Sequence, residues 1–149
     1  MTIYLGADHR GYPLKQSLQI WLTHAGHRVI DCGNTVLDPG DDYPDFAIPV
    51  AKRVSQDNGA SRGIVLCGSG VGANVAANKV RGARAAIGFT SKQVMSGRHD
   101  DDLNVLVVAA DYTSEEMIQR LIMTFIDTAF MPEERYIRRL EKIKQQENA

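Results

Sequence analysis

Short apolar runs alternate with amphipathic stretches along the whole chain. The runs at 2–7, 27–31, 63–67, 83–88 and 104–110 predict five strands. Between them, residues 12–25 repeat at helical spacing. Leu14, Leu18, Trp21 and Leu22 fall on one face, and Gly26 closes the helix. Further helices are predicted at 43–56, where Pro44 suits a first turn, and at 71–79, 91–98 and 114–130. A last, highly charged helix opens at Pro132. The stretch 33–42, "GNTVLDPGDD", is a loop by its Gly, Pro, Asn and Asp content. Regular strand–helix alternation with apolar strands predicts a parallel sheet covered on both faces. Right-handed crossovers then give a Rossmann-like, three-layer α/β/α sandwich with five strands, extended by the last helix.

The 149 residues suit one domain over 1–149, with no repeat or linker to divide it. A net charge of −1 offers no basic field for nucleic acid or an anionic membrane, so local groups must hold any anionic ligand. No charged-then-apolar leader precedes Gly6, and no apolar run suits a bilayer span. The two cysteines, Cys32 and Cys67, make no disulfide framework. These features predict a cytoplasmic protein with free thiols.

Ligands of such sheets bind at the carboxyl ends of the strands. The unusual residues are expected to gather there: Asp8 and His9 after the first strand, Cys67, Gly68 and Ser69 after the third, and His99 before the fifth. The segment "IVLCGSGVGANVAANK", 64–79, joins strand to helix through glycines at alternate positions. It lacks the lysine of a Walker loop, and its G-x-G-x-G spacing is not the dinucleotide fingerprint. Two readings remain for the loop: a phosphate cradle, or an oxyanion site built from the amides of residues 68–72. In the second reading Cys67, at a helix start that lowers thiol pKa, is a nucleophile or a carbon-acid base. The plain alternative makes Cys67 a small buried hydrophobe. Likewise Asp8 could cap a helix, Tyr43 could pack in the core, and Arg135 and Arg139, four apart on a polar helix, could be solvated.

Taken together, "GADHRGYPLK", "DYPDFA", "IVLCGSGVGANVAANKVRGARAA", "GRHDDDLNVL" and "ERYIRRLEKI" occur in one order over nearly the whole chain. This pattern resembles the RpiB/LacA/LacB family of sugar-phosphate isomerases. The resemblance implies an aldose–ketose isomerase without cofactor or metal, acting through a cis-enediolate. Its default pair is ribose 5-phosphate and ribulose 5-phosphate. Allose 6-phosphate, galactose 6-phosphate or a tetrose phosphate are alternatives, as is a non-catalytic partner subunit. It assigns Cys67 as the base, Ser69 to proton exchange at the substrate oxygens, and Gly68, Gly70, Val71 and Gly72 to the anion hole. Asp8, His9 and Tyr43 line the substrate, and His99 opens the sugar ring. Arg135 and Arg139 hold the phosphate, usually in the partner's site. A homodimer follows, with a helix at about 133–147 packing on the second subunit and a tetramer as the larger option.

Two stretches depart from the family pattern. "HDDDLNVL", 99–106, is one residue longer than usual, and counting back from Asn104 puts Asp100 at the histidine's place, so Asp100 joins the substrate-binding candidates. The stretch "VVAADYTSEE", 107–116, lacks an arginine common in the family. Arg10, next to His9, is positioned to replace it.

Overall fold

A computed structural model describes residues 1–149. The elements run β1 (Thr2–Ala7), α1 (Tyr12–His24), β2 (Arg28–Asp31), α2 (Pro44–Ser55), β3 (Ser61–Cys67), α3 (Val71–Ala77), β4 (Ala85–Ile87), α4 (Ser91–Asp101), β5 (Val105–Ala109), α5 (Glu115–Asp127) and α6 (Glu134–Glu147). All five strands are parallel, in the order β2-β1-β3-β5-β4. The expected three-layer sandwich is the observed one.

Because side chains alternate across a strand, each strand feeds two cores. Leu5, Ile64, Leu66, Leu106 and Val108 pack with Leu18 and Leu22 of α1, Val94 of α4, and Leu121, Ile122 and Phe125 of α5. Val65, Cys67, Val105 and Val107 face the other way, against Ala47, Val50 and Val54 of α2 and Ala73 and Ala77 of α3. Each fully buried Leu, Ile or Phe stabilises the fold by about 1.5–3 kcal/mol. No helix is long and apolar enough to cross a membrane.

Two boundaries bear on the site. The strand expected at 83–88 shortens to Ala85–Ile87, an edge strand paired only with β5. The helix expected at 91–98 continues to Asp101 and so takes in His99 and Asp100. Asp102 then stops it in a left-handed conformation (φ 46°), a shape that Asp tolerates better than most residues. Two guanidiniums staple this turn: Arg84 Nη2 reaches Asp102 Oδ2 at 2.6 Å, and the buried Arg98 reaches Oδ1 at 2.9 Å.

Candidate active site

The chain leaves β1 to run one way along the sheet and resumes at β3 on the other side, so a crevice opens at the carboxyl ends of these neighbours. The turn after β1 is tight. Asp8 Oδ1 accepts hydrogen bonds from the amides of Arg10 (3.0 Å) and Gly11 (3.2 Å). Gly11 lies against β3 so closely that a Cβ there would stand 2.5 Å from Leu66 Cβ. This contact seats the buried Asp8 carboxylate beside Cys67, the last residue of β3.

The environment of Cys67 corrects the expectation of a lowered pKa. Its thiol is pushed up to about 11, first by burial and then by a hydrogen bond to Asp8 and the charge of that carboxylate; amides of Gly70 and Gly68 pull the other way but lose. Removing solvent from a thiolate and facing it with a carboxylate outweighs two backbone dipoles. The thiol, not the thiolate, is therefore the resting form near neutrality.

Around it, Gly68 and Gly70 are buried and Ser69 is exposed. Ser69 Oγ accepts from the amide of Val71 at 3.3 Å, so that amide already has a partner, while the Val71 side chain is exposed. Tyr43 lies across Gly72, where a Cβ would come within 2.6 Å of the phenol ring, so only glycine lets the ring sit on the loop. His9 is tied to Asp41. Arg10 pairs with Asp111, which raises its pKa through that bond and charge. Asp8, His9, Tyr43, Cys67, Ser69, Gly68, Gly70, Val71 and Gly72 thus share one edge of the sheet.

His99, Asp100, Arg135 and Arg139 do not, which overturns the expectation that all the unusual residues gather at the carboxyl ends. A crossover helix returns the chain to the amino edge before the next parallel strand begins. His99 and Asp100, in the last turn of α4, therefore sit near the start of β5, at the opposite edge from Cys67. The arginines of α6 join them there. His99 Nδ1 lies 2.6 Å from Asp100 Oδ1 and its ring meets Tyr136 edge-on, with centroids 5.9 Å apart. The bond to His99, and then the one to Tyr136, hold Asp100 below the usual carboxylate range. Arg135 stacks 4.6 Å over the Tyr136 ring and donates to its hydroxyl at 2.8 Å; Arg139 lies 5.9 Å from the ring. Burial, then Asp100, raises the pKa of the Tyr136 phenol.

Tyr136 organises this second cluster, and the sequence reading missed it. The one clue was an aromatic residue on a helix otherwise crowded with charge. It is the only buried residue of α6. Asp41 was also missed, because an Asp in a loop carries no spacing signal. No group of three or more His, Cys, Asp or Glu is arranged to hold a metal ion.

The class of protein is sugar-phosphate isomerase, as comparison with known proteins shows. Residues 3–143 match the family model described as Ribose/Galactose Isomerase. The chain is 37% identical over 147 residues to ribose-5-phosphate isomerase B of Mycobacterium tuberculosis, covering 99% of this chain and 90% of that one. The structure of ribose-5-phosphate isomerase B from Mycoplasma genitalium with bound ribulose-5-phosphate superposes with a TM-score of 0.93 at 34% identity, covering 99% and 96% of the two chains. Type B ribose 5-phosphate isomerase from Trypanosoma cruzi gives 0.93 at 35%, covering 99% of each. The chain belongs to the ribose/galactose isomerase family.

Proposed function

We propose that the protein interconverts ribose 5-phosphate and ribulose 5-phosphate, with Cys67 as the base. The observation that carries this reading is the placement of Cys67 at the end of β3, with Asp8 on its thiol and the Gly68 and Gly70 amides beside it. In the open-chain aldose, the sulfur takes the proton from C2 and returns it to C1. Ser69 carries the hydroxyl proton from O2 to O1, so atoms and charge balance. The enediolate oxygens are held by backbone amides of the 68–72 loop, preorganised donors aimed where charge develops. The resting thiol must first lose its proton, and the neighbouring Asp8 carboxylate is the acceptor at hand. Tyr43 and His9 line the sugar.

The site is completed by a second copy of the chain. Arg135 and Arg139, one turn apart on α6, bind the phosphate, since two guanidiniums match its oxygens. His99, with Asp100 on its ring, opens the furanose by moving a proton between the ring oxygen and the anomeric hydroxyl. One chain places these groups at the edge away from its own Cys67. A two-fold dimer brings each cluster to its partner's thiol. The exposed Ile137 and Ile143 of α6 give the helix an apolar surface to cover. Other phosphorylated sugars are alternative substrates, because the stretch after β5 holds no arginine and Arg10 is paired with Asp111.

The test is turnover of phosphorylated pentoses, hexoses and tetroses by the wild type and Cys67→Ala, with mass by light scattering. Cys67-dependent turnover of ribose 5-phosphate by a dimer supports the proposal. Undiminished turnover by Cys67→Ala overturns the mechanism, and a monomer with full activity overturns the shared site.

A further inference from the structure

The loop between β2 and α2 carries a carboxylate with no role in the chemistry above. Asp41 projects into the site edge with its side chain only 6% exposed. Its Oδ1 accepts from the backbone amide of His9 at 3.0 Å and faces Nδ1 of the same residue at 2.8 Å. Its Oδ2 accepts from Asn34 Nδ2 at 2.8 Å. An ionised carboxylate only accepts, so the nitrogen facing it must carry hydrogen. Nδ1 is thereby committed as a donor, and Nε2 is the nitrogen left for a ligand.

The loop that presents Asp41 is itself anchored. Lys15 is 1% exposed, and its Nζ donates to both oxygens of Asp31 (2.9 and 2.8 Å) and to the carbonyl of Asn34 (2.6 Å). Asp31 Oδ1 also accepts from the Gly33 amide at 2.8 Å, and Tyr12 donates to the Thr35 carbonyl at 2.8 Å. A continuous chain of polar contacts therefore runs from Asp31 through Lys15, Asn34 and Asp41 to the His9 ring. Burying a lysine carries a desolvation cost that only close pairing offsets. Here its pairing fixes a glycine- and proline-rich segment that would otherwise have little to hold it.

We propose that Asp41 is a positioning residue of the isomerase: it sets the tautomer and ring orientation of His9, with Nε2 toward the substrate, and the Lys15–Asp31 pair anchors it. The proposal rests on the reading of the Cys67 edge as the sugar-phosphate site. A carboxylate behind a histidine does this in many sites, because an unrestrained imidazole samples two tautomers and several rotamers.

The test combines kinetics with nitrogen NMR of His9. In the wild type the signals show hydrogen on Nδ1. In Asp41→Ala they show hydrogen shifting to Nε2, and kcat/KM for ribose 5-phosphate falls roughly ten- to hundredfold, mainly through KM. In a His9→Ala background the same substitution changes kcat/KM by less than about twofold, because the two residues act as one unit. Asp41→Glu restores part of the loss. Asp41→Leu, which fills the volume without an acceptor, repeats the test if the alanine variant loses the loop. An unchanged tautomer, or an equal loss with and without His9, overturns the proposal. The NMR result needs no turnover. A wild type inactive on every sugar phosphate with the tautomer shift intact would therefore reject the isomerase reading alone.

Discussion

The two edges of the sheet carry two clusters built on opposite principles. At the carboxyl edge, Asp8 and Cys67 are buried, and their neighbours are held by short backbone turns and by glycines that permit contacts no side chain could make. At the amino edge, Arg135 and Arg139 are exposed on a helix that buries one tyrosine. The first arrangement suits proton transfer, where a fraction of an ångström and a dry environment decide the rate. The second suits capture of an anion by long, solvated cations that a partner molecule can receive. The topology keeps the two clusters apart within one chain, and the proposed dimer is what would join them.

The largest effect that would test this division is at the base. Cys67→Ala is expected to lower kcat by a factor of about a thousand or more, within the range for a general acid–base group. Arg139→Ala should raise KM roughly tenfold or more with a smaller change in kcat, since the proposed role of Arg139 is a charge-assisted bond to phosphate. Mixing these two inactive or weakened chains gives the sharper result. Random exchange should restore about a quarter of wild-type activity, because half the dimers then hold one intact site. No recovery would mean that each chain completes its own site.

Smaller effects probe the thiol. Asp8→Asn removes the carboxylate that raises the Cys67 pKa, so alkylation by iodoacetamide below pH 9 should accelerate several-fold even as isomerisation slows. In the wild type the alkylation rate should keep climbing to about pH 11. The same shift bears on stability. The folded thiol titrates above its ordinary value near 9, so the stability tied to its protonated form is complete below pH 9 and lost as pH rises through about 11. Urea midpoints of Cys67→Ala should decline less over that interval than those of the wild type.

Much of this was legible in the linear pattern. Apolar runs separated by helical periodicity specified a parallel sandwich, and the glycine-spaced loop after a strand ending in cysteine was legible as one member of the carboxyl-edge cluster. Period and composition are local properties, and burial on both faces of a strand requires a continuous apolar run whatever its neighbours are. The residues at the amino edge were legible as types but not as a cluster. His99 stands just before a parallel strand, which itself puts it at the amino edge, but only the fold shows that Tyr136 and the arginines of α6 meet it there. The sign of the Cys67 shift was equally hidden. A helix start argues for a low value, and only the fold brings Asp8, 59 positions earlier in the chain, onto the thiol and closes the core around it. Asp41 and Tyr136 carry no motif at all. What the sequence alone determined is the set of elements and the chemical groups available. Which groups meet, which face water, and which wait for a second molecule depend on contacts between residues distant in the chain, and those exist only once the sheet is assembled.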